Sequence, residues 1–304
     1  MIPASLSSAP RLPALAAAAL LVVGGLAASP AVWASSSEDG PPTLEKALAG
    51  LQASEGFLRT YRDPRRGRLL AELPPPNEES GTILSMLYVE GLTTGLGSNP
   101  VGLDRGQLGE VQVVDVRRLG PRVLFERRNL RFRAESDDPL ERRATRQSFA
   151  NSVIWAAPVE ALDADGTSLI DLTSFLVRDA HQVEATLRGT GQGAYRLDVE
   201  RSAIDFASCL SFPDNLEFEA ALTYAQAGDE PGPLVAATAP TGSAFTLIQH
   251  YSLIRLPDDR YRPRAGDPRI GYFGPQYLDY AAPLDDSTDR WLISRHRLEK
   301  RDPG

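Results

Sequence analysis

Phe57-Leu-Arg-Thr-Tyr61 and Arg68-Leu-Leu-Ala-Glu-Leu73 flank the string Asp63-Pro-Arg-Arg-Gly67. Apolar and polar residues alternate on both sides of a Pro and a Gly suited to a tight reversal, so this stretch predicts a β-hairpin. The same mixture of β-branched and aromatic residues between Gly, Pro and Asp recurs at 83–89, 110–119, 122–126, 130–134, 153–162 and 168–171. Each reads as a strand, with Gly120-Pro121 and Asp163-Ala-Asp-Gly166 as turns. Strands resume at 195–199, 216–224 and 244–256, and residues 257–283, rich in proline and glycine, read as a surface wrap.

Helical spacing appears in three places. Leu44, Leu48 and Leu51 follow the N-cap candidate Thr43 and predict a short amphipathic helix. Phe175, Leu176, Val183 and Leu187 predict a helix from 173 to 188 that stops at Gly189, and residues 286–299 predict another. The expected fold is α+β and strand-rich, with antiparallel sheets and a few helices.

The amino terminus carries Arg11, an apolar run from Leu12 to Ala28, a break at Pro30, and Val32 and Ala34 where a signal peptidase reads. That run is short for a bilayer span, so residues 1–34 are expected to be a signal peptide and the protein exported, periplasmic or extracellular, without a stable membrane span. Residues 35–55 read as a leader with the short helix, and 56–304 as the strand-rich region. The net charge of −8 argues against nucleic acid as a partner. Of the 32 basic residues only Lys46 and Lys300 are lysines. Cys209 is the single cysteine, so burial rather than an intrachain disulfide must stabilise the fold, and 42% apolar residues suffice for a sizeable core.

The chain lacks the H-E-x-x-H pattern that places two imidazoles one helical turn apart on one face. Its histidines, His181, His250 and His296, are widely separated, and each has a structural reading. There is no G-x-S-x-G elbow, and Cys209 has no basic neighbour in sequence to activate it. Gly189-Thr-Gly-Gln-Gly193 follows a helix and lacks the phosphate-loop lysine, so it reads as a helix stop. Asp163 and Asp165 hold only part of a calcium-loop pattern. No catalytic residue, metal ligand or cofactor is assigned within this chain. The most unusual stretch is 90–109, with six glycines in twenty positions around Asp104 and Arg105. Those two residues either pair within the fold and hold the loop shape, or contact a neighbouring domain or occlude its cleft.

Three strings carry a family resemblance: Gly97-Ser-Asn-Pro-Val-Gly-Leu-Asp-Arg-Gly-Gln-Leu-Gly109, Ser174-Phe-Leu-Val-Arg-Asp-Ala-His181, and the patterned stretch from Arg264-Ala-Gly-Asp-Pro-Arg to Arg295-His-Arg-Leu-Glu-Lys-Arg-Asp-Pro303. They resemble the uncharacterised amino-terminal region of large secreted bacterial zinc-dependent metalloproteases of the metzincin type. The resemblance implies a non-catalytic scaffold or pro-region that precedes a zinc protease domain absent from this chain, with the zinc held there. Its partner would be that protease domain, in the same polypeptide or as a split-gene product. The other expectation is an independent envelope or secreted module that binds a sugar or peptide through Tyr272, Phe273, Tyr277 and Tyr280.

Overall fold

The computed structural model describes residues 40–298 apart from Asp229 and Pro268, so the expected signal peptide lies outside the described residues. The first elements are helix α1 (Leu44–Ala47), strand β1 (Gln52–Ser54) and the hairpin β2 (Thr60–Asp63) and β3 (Arg68–Leu73). Strands β4 (Thr82–Leu92), β5 (Gln112–Leu119), β6 (Arg122–Arg127) and β7 (Phe132–Arg133) follow. Helix α2 (Pro139–Ser148) leads to β8 (Ser152–Pro158), β9 (Ala161–Leu162) and β10 (Ser168–Asp171). Helices α3 (Thr173–Leu176) and α4 (Val183–Gly189) precede the long pair β11 (Tyr195–Ser211) and β12 (Asn215–Gln226). Helix α5 (Pro233–Thr238), β13 (Ala244–Arg255), β14 (Gln276–Asp279) and β15 (Asp289–Trp291) complete the set.

Seven strands form a central antiparallel sheet in the order β11-β12-β13-β4-β5-β6-β8. A second antiparallel sheet has the order β1-β2-β3-β10-β9, and a small third sheet has β15-β14-β7. The predicted hairpin is β2–β3, with Thr60 opposite Ala71 and Asp63 opposite Arg68.

The two-residue period of a strand decides which face is buried. Met86, Tyr88 and Leu92 of β4, Phe218, Ala220 and Leu222 of β12, and Leu247, Tyr251 and Leu253 of β13 all face inward. They meet Leu69, Ala71 and Leu73 of β3 and Ile170 of β10 in one core. The second sheet buries both faces, because Leu70 and Leu169 point the other way and join Leu44 of α1, Tyr61 and Ala161 in a smaller core. Thr43 makes no capping hydrogen bond; instead Asp163 Oδ1 accepts from Leu44 N at 2.9 Å, so the Asp163–Gly166 turn holds the start of α1.

The helix predicted over 173–188 is two helices. Phe175 is fully buried, with ring centroids 5.4 Å from Tyr88, 5.1 Å from Phe125, 5.3 Å from Trp155 and 5.6 Å from Tyr251. The Tyr251 hydroxyl donates to Leu176 O at 2.6 Å, and Arg178 donates to Phe175 O at 3.0 Å and to the Tyr88 hydroxyl at 2.9 Å. The chain then restarts. Gln182 takes a left-handed φ of 56°, and the Asp179 carboxylate accepts from Val183 N at 2.8 Å, Glu184 N at 2.9 Å and the Tyr224 hydroxyl at 3.0 Å. Aromatic packing and a carboxylate cap outweigh helix continuation, while the apolar residues that suggested one helix are buried as expected.

The helix predicted over 286–299 is absent from its described residues. Asp289–Trp291 pairs with β14 as β15, and Ile293 N donates to Arg264 O at 2.8 Å, so strand pairing overrides local propensity there. The strand predicted at 195–199 runs on to Ser211, interrupted between Asp198 and Ala203 and again between Asp205 and Leu210. At each interruption an aspartate accepts from nearby backbone amides, Asp198 from Glu200 and Arg201, and Asp205 from Ala207.

Replacing Phe175 with Ala is expected to cost about 3–5 kcal/mol, and Tyr251→Phe about 1–3 kcal/mol, because the latter strands the Leu176 carbonyl. Urea unfolding measures both. A loss under about 1 kcal/mol for Phe175→Ala would mean that the aromatic centre does not hold the fold.

Candidate functional site: an open sheet face and its glycine loop

The six glycines between Glu90 and Gly109 let the chain leave β4 and return against itself. Leu92 N donates to Gln107 O at 2.9 Å, Gly106 N to Leu92 O at 2.7 Å, Gly109 N to Glu90 O at 2.8 Å, and Leu96 N to Leu103 O at 2.8 Å. Gly106 needs its freedom at φ +82°, and a Cβ at Gly109 would strike the Glu90 carboxyl. Leu96, Val101 and Leu103 point down into the main core as plugs. This is a packed loop of the Ω type. Glu90 beneath it is buried, which pushes its carboxyl above the ordinary range, and its Oε2 has no hydrogen-bond partner among the described residues.

Asp104 and Arg105 do not pair with each other among the described residues. Asp104 O accepts from Gln107 N at 3.1 Å, while its buried Oδ1 has no hydrogen-bond partner. The loop shape rests on backbone bonds and the three apolar plugs. Arg105 is exposed and shares a shallow cleft of about 230 Å³ with Thr93, Leu108 and His250.

His250 belongs to the outward face of the central sheet. In register it lies between Glu219 and Gly91, Ser252 lies between Glu217 and Val89, and Ile254 lies between Asn215 and Leu87, with Leu87 opposite Val113. His250 Nε2 is 2.7 Å from Glu217 Oε2, and Nδ1 is 3.3 Å from Glu219 Oε1. Ser252 Oγ and Asn215 Nδ2 donate to Glu217 at 2.5 Å each, and Thr93 Oγ1 donates to Glu219 at 2.6 Å. The hydrogen bond to Glu217 raises the His250 pKa above the usual 6.5 in spite of burial. Burial pushes Glu217 up, but its bonds from His250, Ser252 and Asn215 outweigh that and leave it below its usual value.

This set is not a nucleophilic triad. Ser252 Oγ gives its hydrogen to Glu217, and the His250 nitrogen nearer to it, at 3.3 Å, already faces the same carboxylate. What the face offers is an imidazole braced by two carboxylates, beside an aliphatic stripe. Leu87, Val89, Val113 and Ile254 lie outside both cores and stay partly exposed, and Leu108 and Val111 are 70% and 60% exposed. Glu217 and Glu219 were not singled out from sequence. Their signal is the alternation Leu216-Glu-Phe-Glu219, which puts both carboxylates on the face opposite Leu216 and Phe218.

The remaining candidates are dispersed. His181 lies in the break between α3 and α4, where burial lowers its pKa and leaves Nδ1 unpartnered. His296 is exposed and not helical. Cys209 is buried, its thiol pushed up to about 11 by burial, and it donates to Asp205 O at 3.3 Å. The four aromatics do not form one platform. Tyr277 is buried with its hydroxyl on Glu135 at 2.6 Å, Tyr280 packs against Phe132 and Phe149 while staying 52% exposed, and Tyr272 and Phe273 project furthest, at 62% and 89% exposure.

The sequence model of the family described as Domain of unknown function (DUF5117) matches residues 106–301. The chain belongs to the DUF5117 family. No curated protein and no solved structure matches it. The DUF5117 match opens at Gly106, inside the glycine loop, and takes in β5 to β15, including Glu217, Glu219 and His250.

The histidines of this DUF5117 chain pull stability in opposite directions with pH. The raised His250 stabilises fully below the unfolded value of 6.5, and that stability is lost as pH rises through its folded pKa. The lowered His181 costs stability as pH falls below 6.5, because the unfolded chain takes up the proton first. The urea midpoint of His181→Gln should therefore fall as pH rises from about 6.5 to about 8, and that of His250→Gln should fall as pH drops below about 6.5. Identical profiles for the two variants would contradict the assigned environments.

Proposed function

We propose that this chain is a non-catalytic scaffold of a secreted zinc-dependent metalloprotease, and that the outward face of its central sheet is the seat for the protease domain. The aliphatic stripe beside the glycine loop carries the proposal. Leu87, Val89, Val113 and Ile254 form a partly exposed row that the highly exposed Leu108 and Val111 extend. Ion pairs border it on both sides, Glu217–His250 on one and Asp115–Arg128 at 2.6 Å on the other. An apolar centre with a polar rim is the usual anatomy of a protein interface.

In this reading Asp104 and Arg105 lie on the loop at the rim, with Arg105 as the residue that contacts the neighbouring domain. The zinc, its H-E-x-x-H ligands and the glutamate base belong to that domain, in the same polypeptide or in a split partner. The same reading has the chain exported, with residues 1–34 as its signal peptide. A sugar- or peptide-stacking module draws mainly on Tyr272 and Phe273, since Tyr277 is buried against Glu135 and the half-exposed Tyr280 has its ring packed on Phe149.

Leu108→Asp with Val111→Asp tests the seat. Both side chains are solvent-exposed, so the double variant should unfold like the wild type, within about 0.5 kcal/mol. Its affinity for the H-E-x-x-H domain, read by sedimentation or calorimetry, is expected to drop at least about tenfold. Wild-type affinity in the double variant would overturn the proposal.

A further inference from the structure

An arginine cluster borders the aliphatic stripe, around the segment that joins β6 to β7. One cleft of about 780 Å³ has Val111 and Val113 of the stripe in its wall and is lined by Arg127, Arg128, Arg131 and Arg133, with Glu110 its only acidic wall residue among the described residues. A smaller cleft of about 230 Å³ shares Arg128 and Arg133 and adds Arg142 and Arg146 from α2, against Asp115 alone. Six guanidinium groups thus face two carboxylates, in a chain whose net charge is −8.

The two carboxylates are already engaged. Arg127 pairs with Glu110 at 2.6 Å and Arg128 with Asp115 at 2.6 Å. Among the described residues the other four have no carboxylate partner, yet three of them are held by neutral groups, Arg131 by the Phe132 ring 5.8 Å away. Arg133 donates to Leu130 O at 2.8 Å and lies 4.3 Å over the Tyr277 ring, and Arg142 donates to Ser136 O at 2.6 Å. Arg142 and Arg146 stand one turn apart on α2, an unfavourable like-charge spacing that a bound anion would relieve. Neutral hydrogen-bonding side chains, Gln112, Asn129, Ser152 and Gln276, complete the larger cleft.

A second basic cleft, between α1 and the β2–β3 turn, is a weaker candidate. Arg62 there is spent on Cys209 O and Arg66 lies 4.0 Å from Asp63.

We propose that the joined clefts around Arg131 and Arg146 bind a polyvalent oxyanion, a ligand carrying two or more phosphate or carboxylate groups. Arginine's planar fork pairs with either group through two parallel hydrogen bonds, and guanidinium groups already held in place, as Arg133 and Arg142 are, lose little freedom when they do so. The larger cleft abuts the protease seat and shares Val111 and Val113 with it, while Arg131, Arg142 and Arg146 lie outside the seat, so the arginine variants test this site separately.

Calorimetric titration of the whole chain with pyrophosphate and, separately, with citrate tests it, against sodium chloride at matched ionic strength. Saturable binding of at least one probe is expected, and the tighter probe tells phosphate from carboxylate. Arg131→Glu with Arg146→Glu should weaken it at least about tenfold. The charge-matched Lys46→Glu with Arg65→Glu, in the other cleft, should leave it within about twofold. Binding no better than chloride for both probes, or equal loss in both double variants, would overturn the proposal. Should the first variant fail to fold by circular dichroism, Arg131→Gln alone replaces it, with at least a threefold loss expected and wild-type affinity overturning the proposal.

Discussion

The hydrogen bond from the Tyr251 hydroxyl to Leu176 O, with Phe175 packed between Tyr88, Phe125, Trp155 and Tyr251, is the junction on which the fold depends. It ties the α3–α4 segment to the inner face of the central sheet and gives a buried phenol and a buried carbonyl their partners. Left unpaired in that environment, either group would carry a desolvation cost of about 1–3 kcal/mol. Asp179 continues the junction by capping α4 and accepting from Tyr224, so five strands of the central sheet (β4, β6, β8, β12 and β13) and two helices meet there. With a single cysteine, the chain has no intrachain disulfide to share this role.

Closing one face of the central sheet this completely leaves the other to different rules. The inner face is mostly apolar, with the Tyr251 hydroxyl paired and Glu90 buried beneath the glycine loop, whereas the outer face carries an imidazole between two carboxylates, serines, threonines and an aliphatic row in partial contact with water. The glycine loop joins the two regimes, sending Leu96, Val101 and Leu103 inward while leaving Arg105 and Leu108 outward. It can do so because its turns are drawn from backbone bonds and glycine geometry and do not need Asp104 and Arg105 to pair. Those polar and apolar groups are therefore available to a partner.

The strands were legible in the sequence where alternation was strong, as in Phe57–Leu73 and 216–224, because period two and turn residues are local signals. The break at 177–182 was not, since a capping aspartate and a left-handed Gln182 follow from packing against Tyr224 and Tyr251, which lie far along the chain. Residues 286–298 misled for the same reason: their partner is β14, not their own next turn. Helix α2 did leave a signal, Asp138 before Pro139, the cap and first-turn pairing that the structure uses, with Asp138 accepting from Leu140 N at 2.8 Å. At the site, His250 was visible but its partners were not, because cross-strand register is set by the whole sheet.

Amide hydrogen exchange of the chain, alone and with the H-E-x-x-H protease domain bound, is the most direct measurement of the central claim. The account predicts added protection at residues 105–113 and along β4 and β13, with residues 131–146 unchanged. Protection confined to other surfaces, or none when the domain is present at saturating concentration, would contradict it.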